Sequence, residues 1–424
     1  MAHVLVLTLV FPPDGVSTAV IMGELSADLA KAGHDVTVVT TVPHYNRDPE
    51  AESRQPLVRM WGPLLYRSEF HGLRVLHVGM PRKSRKLLSR LLAWTQFHVL
   101  SLVAAVSLVR RVDVILAPSP PLTIGVCAWL LGCLYRAPYV YNVQELHPDI
   151  AIALGALRNR QAIAVLLALE RFVYARARVI TVIASRMRQR VLQKSVPAGK
   201  VRLIPNFVDV DNMAPGPKAS AFGRAHGLDR AFVVTYAGNM GPAQGLDTIL
   251  DAAALLASEP DLTFLLVGEG VLHDELRVTA RARGLANVLI LPHQSYSVVP
   301  EIYAASDLCV VPLAANAASD AVPSKVYRIM ACARPVLACA DPDSDLGELV
   351  KRAGCGTVVP PGSPEKLAEA VHDAMRNPAA CAEMGKAGRA HVLAHYARDS
   401  VSGQYEALIR EVAGALSRHV DAHG

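Results

Sequence analysis

At 424 residues the chain is too long for one hydrophobic core and is expected to fold as two domains of roughly 200 residues each. With 52% hydrophobic and 19% charged residues extensive disorder is excluded, and a net charge of +6 gives no argument for a nucleic-acid partner. The seven cysteines, odd in number, without metal-ligand spacing and in apolar or small-residue surroundings, read as buried reduced thiols of a cytosolic protein.

The first apolar run, residues 4–10, follows no basic leader segment and reads as a core strand rather than a signal peptide. Helical spacing over 17–32, stopped at Gly33, and a second β-branched run at 36–41 complete a β-α-β unit with both strands buried. Between strand and helix lies Phe11-Pro12-Pro13-Asp14-Gly15. This is either a ligand loop, Gly15 permitting close backbone approach beside a helix start, or an ordinary βα turn.

A basic cluster, Arg82, Lys83, Arg85, Lys86 and Arg90, then leads into an apolar stretch over 87–109. Its 23 residues permit a membrane span, a buried helix, or a helix packed partly on the sheet and partly into a membrane surface. The last is preferred, because a span would export a sheet already begun at Val4. Further strand-like runs at 112–117, 138–142 and 179–183 alternate with helix-length segments, which implies a parallel sheet. After the second of these, Glu145, His147 and Asp149 stand close together at a strand's carboxyl end. They read either as groups that orient or deprotonate a hydroxyl, or as a turn and helix cap, Pro148-Asp149 being a good helix start.

A polar, Pro- and Gly-bearing segment near 206–218 marks the hinge to a second unit, with strands expected at 232–236, 263–267, 288–291, 308–311, 335–338 and 356–359. The first strand runs into Gly238-Asn239-Met240-Gly241-Pro242-Ala243-Gln244-Gly245, again strand, glycine loop and helix. Gly268-Glu269-Gly270 lacks the third glycine of a dinucleotide fingerprint, His273 standing in its place, so a nicotinamide site is rejected. That turn and Leu291-Pro292-His293-Gln294 read by themselves as βα connections. The most informative stretch is Asp320-Ala-Val-Pro-Ser-Lys-Val-Tyr-Arg-Ile-Met-Ala-Cys-Ala-Arg-Pro335. It sets a carboxylate (Asp320), a hydroxyl (Ser324) and an ammonium (Lys325) at a helix start, where the helix dipole favours an anion. The alternative is an exposed helix-start lysine. Asp341-Pro342-Asp343-Ser344-Asp345 invites a metal but fits a helix cap better, so no metal site is assigned. The last helical stretch covers 399–417. In such a protein, ligand is expected at the strands' carboxyl ends, in the cleft between the domains.

These segments, above all 238–247, 302–312 and 323–335, resemble retaining glycosyltransferases of the GT-B fold, of the family 4 type that builds bacterial surface polysaccharides and O-antigens. The resemblance implies an α/β chain of two Rossmann-like domains facing across a cleft: 1–205 for the acceptor, 206–398 for the nucleotide-sugar donor, and a helix at 399–424 crossing back to the first domain. Lys325 and Asp320, with Glu145 on the acceptor side, take the catalytic places; His147 and Asp149 stand beside Glu145, where relatives have Asp-Leu-Trp-Pro. Gly15, Gly238, Asn239, Gly241, Gln244, Gly268, Gly270 and Ser324 line the donor, and Pro292 and His293 pass the nucleobase. Asn239 and Gln244 stand where many members carry arginine and lysine, so hydrogen bonding replaces charge there. Of the family's two glutamates eight positions apart, Asp320 replaces the first and Arg328 the second. Arg328 accepts no hydrogen bond, which leaves the ribose held by another group or weakly held.

The expected reaction is metal-independent and cofactor-free transfer of a hexosyl or N-acetylhexosaminyl group from a UDP-sugar to a lipid-diphosphate-linked saccharide. It would take place on the cytoplasmic face of an anionic membrane reached through 82–109, with no nucleic acid involved. A non-catalytic sugar-nucleotide-binding subunit and a nucleotide-sugar epimerase of the same fold are the rival readings.

Overall fold

The computed structural model describes residues 1–44, 48–80, 87–153, 155–314 and 322–420, and the chain divides into two compact units, Met1–Pro205 with Asp399–Gly424, and Asn206–Arg398. In the first unit the strands are β1 (His3–Leu7), β2 (Asp35–Thr41), β3 (Val58–Arg59), β4 (Leu65–Phe70), β5 (Leu73–Val78), β6 (Val114–Pro118), β7 (Tyr139–Val143), β8 (Val179–Val182) and β9 (Val201–Leu203). They form one nine-stranded sheet in the order β3-β4-β5-β2-β1-β6-β7-β8-β9. Helices cover the central strands, so β6, β7 and β8 are buried along their whole length, as their uninterrupted apolar sequence requires.

The sheet is not wholly parallel: β3 pairs with β4, and β4 with β5, antiparallel. The expectation of a parallel sheet fails at this edge because Leu65-Tyr-Arg-Ser-Glu-Phe sets exposed Arg67 and Glu69 between half-buried Tyr66, Ser68 and Phe70. His71 and Gly72, at φ of 49° and 79°, make the two-residue turn that suits a hairpin's twist. Such a half-solvated hairpin lacks the continuous apolar run by which the other strands are recognised.

The helix Leu87–Leu108 buries Phe97, Ser101, Ala104 and Ala105 and leaves Leu92, Trp94, Val99, Val103 and Val106 exposed. Among the described residues no helix is long and apolar enough to cross a membrane. Arg82, Lys83, Arg85 and Lys86 lie outside the described residues, as does the side chain of Arg90. At the far end of the chain, the helix Arg398–Val420 is anchored to this unit from Asp399 onward. Its buried Tyr405 hydroxyl accepts from Asn142 Nδ2 at 2.8 Å and donates to Thr181 Oγ1 at 3.5 Å, while Ser402 Oγ donates to Asp28 Oδ2 at 2.8 Å.

The second unit holds β10 (Phe232–Ala237), β11 (Leu262–Val267), β12 (Val288–Leu291), β13 (Leu308–Pro312), β14 (Val336–Cys339) and β15 (Gly356–Val359) in the order β12-β11-β10-β13-β14-β15, every pair parallel. The chain leaves β10 toward β11 on one side and returns to β13 on the other. Loops at the carboxyl ends of β10 and β13 therefore diverge and open a crevice. The core on one face joins Phe264, Leu266, Leu250, Leu276 and Leu337. Six of the cysteines are buried, but Cys133 is exposed, so the expectation of buried thiols fails at that position.

Candidate functional site

In the second unit the groups of interest gather at this crevice. The backbone after β10 is held against the loop after β11: Gly238 N donates to Val267 O at 2.9 Å and Met240 N to Glu269 O at 2.8 Å. A Cβ on Gly268 would lie 1.8 Å from Gly238 O, and one on Gly270 2.3 Å from Met240 O. These two glycines thus seat the Gly238 loop from behind, a packing role that a motif search cannot separate from ligand contact. The loop continues through Gly241 and the 3-10 turn Pro242–Gln244 before the helix Asp247–Leu255.

Opposite, Lys325 opens the helix Lys325–Ala331, with Ser324 as the preceding residue. Lys325 Nζ donates to Gln244 Oε1 at 3.1 Å, lies 4.0 Å from the centre of the Tyr236 ring, and sits 2.9 Å from where a Cβ on Gly238 would be. Tyr236, buried near the end of β10, braces both sides: its hydroxyl donates to Asn239 O at 2.5 Å and lies 3.4 Å from Gln244 Oε1. The lysine as a residue is half-buried, but its ammonium is enclosed by these three neighbours. Burial first, and the Arg328 guanidinium second, bring it down to about 7. Among the described residues no carboxylate pairs with Lys325. A desolvated cation with only neutral acceptors gains most from an incoming anion.

Arg328, one turn further on, lays its guanidinium over the Tyr296 ring at 5.3 Å. Pro292 is exposed and His293 half-buried on the loop after β12, where Gln294 Nε2 donates to Pro292 O at 3.0 Å. Asp320 lies outside the described residues. Asp341 to Asp345 forms a cap: Ser344 Oγ accepts from Gly347 N at 3.1 Å and starts the helix Asp345–Ala353.

In the first unit, Gly15 is half-buried just before the helix Ser17–Lys31, on a loop pinned from inside. Buried Asp14 accepts from His44 N at 3.1 Å, and Pro12 O accepts from Gln55 Nε2 at 3.0 Å. Gln55 Nε2 also donates to Ser68 Oγ at 2.8 Å, which lies 2.7 Å from His77 Nε2, while His77 Nδ1 lies 3.0 Å from Thr41 O. A carbonyl only accepts, so Nδ1 carries the proton and Ser68 donates to Nε2. Burial keeps this histidine neutral, down to about 4, against the opposing Thr41 carbonyl.

The acceptor-side residues take different partners. Glu145 is exposed and pairs with His147 Nε2 at 3.1 Å. Asp149, first residue of the helix Asp149–Ala153, is instead tied to Lys194 Nζ at 2.9 Å, which grips the buried Glu170 at 2.6 and 2.7 Å. Burial raises the Glu170 carboxyl while Lys194 pulls it back. In the sequence Tyr236 reads only as the end of a strand leading into the glycine loop, and Tyr296, Lys194 and Glu170 give no signal. Each sits in a strand, turn or helix whose local pattern reports only burial or exposure, and their partners are distant in the chain.

Residues 15–206 match the family model described as a glycosyl transferase 4-like domain, and residues 222–391 match that of glycosyl transferases group 1. The chain is similar to the putative colanic acid biosynthesis glycosyl transferase WcaI of Escherichia coli, at 27% identity over 384 residues, 88% of this chain and 92% of that one. It is also similar to the probable glycosyltransferase WbjE of Pseudomonas aeruginosa, at 27% identity over 69% and 74% of the two chains. In fold it matches Thermosynechococcus elongatus sucrose-phosphate synthase with a TM-score of 0.74, at 20% identity, over 97% of this chain and 100% of that one. It likewise matches Anabaena HepE in complex with UDP-glucose with a TM-score of 0.71, at 17% identity, over 99% and 100%.

Proposed function

For this chain, which belongs to the GT-B glycosyltransferases and joins a 4-like to a group 1 domain, we propose retaining transfer of a hexosyl or N-acetylhexosaminyl group from a UDP-sugar to a lipid-diphosphate-linked saccharide in surface-polysaccharide synthesis. The observation that carries this reading is the enclosed Lys325 ammonium at the β10/β13 crevice, which meets only neutral groups among the described residues. The UDP and UDP-glucose complexes of HepE, which shares the fold, support the choice of donor, and the name of WcaI supports the pathway class.

In the reaction, the bond between the anomeric carbon and the β-phosphate oxygen breaks and its electrons remain on the departing UDP. Lys325 and the side-chain amide Nε2–H of Gln244 stabilise that charge, which is the main demand on the catalyst. The acceptor oxygen bonds the anomeric carbon on the same face. Its proton passes to the departing phosphate or to Glu145, which is exposed at the carboxyl end of β7. Lys325 supplies the positive charge, so the reading is metal-independent. The first unit binds the acceptor and works at the cytoplasmic membrane face, a reading supported by the exposed stripe Leu92, Trp94, Val99, Val103 and Val106.

The test is a panel of nucleotide sugars incubated with and without a polyprenyl-diphosphate saccharide and read by mass spectrometry. A lengthened saccharide, formed only with acceptor present and lost in Lys325→Ala, is the expected outcome. Donor isomerised without acceptor, or donor bound tightly and never consumed, would overturn it.

A further inference from the structure

A second basic site lies in the first unit, at the opposite ends of its strands from Glu145 and the Gly15 loop. Two strands are entered directly from a cation, β8 from Arg178 and β9 from Lys200, and Arg136 stands three residues before β7. Between the last three strands is an open cavity of about 720 Å³ whose lining includes Trp129, Arg176, Arg178, Lys200, Arg202 and Glu411. Four cations thus face one carboxylate, and among the described residues that carboxylate pairs with Arg202 alone, at 3.5 Å.

The ends of helices lie here too, and cations are favourable beside their carbonyls. That accounts for Lys200, whose Nζ donates to Ala175 O at 2.7 Å at the end of the helix Arg160–Arg176. Arg176 is held over the rings of Trp129 and Phe172 at 5.9 and 5.6 Å. Neither explanation reaches Arg178, whose guanidinium meets no acid or carbonyl among the described residues and depresses the neighbouring Lys200 by its charge, after burial.

The rim of the cavity is apolar. The helix Ile124–Tyr135, which lines it with Trp129 and Cys133, leaves Leu130 42% and Leu134 58% exposed. Tyr135 OH ties this helix to Ala105 O at 2.9 Å and Val109 O at 2.7 Å, beside Val103 and Val106, which are 44% and 52% exposed. A soluble polyanion has no use for such a rim. A leaflet of anionic phospholipid presents phosphates to the guanidinium forks and acyl chains to the leucines and valines.

We propose that this cavity is a headgroup pocket for an anionic phospholipid, with Arg178 and Lys200 holding the phosphate while Leu130 and Leu134 enter the acyl boundary. The inference rests on the reading that the protein works at a membrane surface, and it names where the surface is gripped.

The experiment is co-sedimentation of the full chain with phosphatidylglycerol-containing vesicles and with phosphatidylcholine vesicles, over a salt series. The wild type should sediment with the anionic vesicles and be released as salt rises. Arg178→Ser/Lys200→Ser should weaken that binding about thirtyfold. The same charge change at Arg277 and Arg281 of the second unit should leave it unchanged. Circular dichroism and UDP binding, which belongs to the second unit, check that the variants fold. Equal loss in both double variants, or none in the first, would overturn the pocket while leaving membrane attachment standing. A wild type that sediments with neither vesicle overturns both readings, and tighter retention by a DNA duplex than by vesicles overturns lipid as the occupant.

Discussion

Raising the pH should weaken UDP binding, and the size of the effect follows from the surroundings of Lys325. The enclosed ammonium titrates at about 7 in the ligand-free protein, first through burial and then through Arg328. A bound diphosphate restores the charged form, so binding takes up a proton wherever the free lysine has lost it. If only the charged lysine grips the phosphate, affinity between pH 7 and 9 falls about tenfold per pH unit. The fall ends at the level of a neutral side chain, roughly ten- to hundredfold weaker for one charge-assisted contact. Lys325→Met should start at that floor and show no slope, and Arg328→Gln should move the fall to higher pH by removing the neighbouring positive charge. Isothermal titration with UDP at several pH values, repeated in two buffers of different ionisation enthalpy, reads both the slope and the proton uptake. For stability the sign is opposite. Between about 7 and 10.5 the unfolded lysine holds a proton that the ligand-free native state has released, so stability rises with pH across that window in the wild type and not in Lys325→Met. A flat affinity from pH 7 to 9 without proton uptake would refute the assignment of Lys325 as the diphosphate grip.

Gly268→Ala should cost about 2–4 kcal/mol, because its Cβ would meet the Gly238 carbonyl at 1.8 Å and neither backbone can retreat. Gly403→Ala, in the helix Arg398–Val420 with nothing within 4 Å of the new atom, should instead stabilise by about 0.5–1 kcal/mol, so paired denaturant titrations decide the point. Lys194→Met strips the buried Glu170 of its cation and should destabilise by about 3 kcal/mol at neutral pH. The Glu170 carboxyl is already raised by burial and would rise further, so the native state takes its proton before the unfolded chain does. The deficit must therefore shrink on acidification, and thermal melts in which it grows would exclude Glu170 as the cause.

The amino-acid order alone determines the run of βα units, because parallel strands covered on both faces must be short continuous apolar runs, as at Val114–Pro118, Tyr139–Val143 and Leu308–Pro312. It also marks Lys325 as a group worth attention, since a lysine after Pro-Ser at a helix start is a local pattern. The hairpin β4–β5 escapes the same reading because exposed Arg67 and Glu69 in β4, and the polar Arg74 and His77 in β5, interrupt any continuous apolar run. Only tertiary structure decides what a residue meets across the chain. Lys325 lies 81 positions from the Gln244 oxygen that accepts from it and against the ring of Tyr236, and from these contacts its lowered titration follows. Asp149 is likewise bound to Lys194 while Glu145 pairs with His147, a division of partners that the sequence does not show. Gly268 and Gly270 resemble a phosphate motif, yet their missing side chains make room for the backbone of a neighbouring loop. Local patterns report periodicity, capping and turns, which act over a few residues. Desolvation, ion pairing and close backbone approach depend on distances that only the packed fold sets.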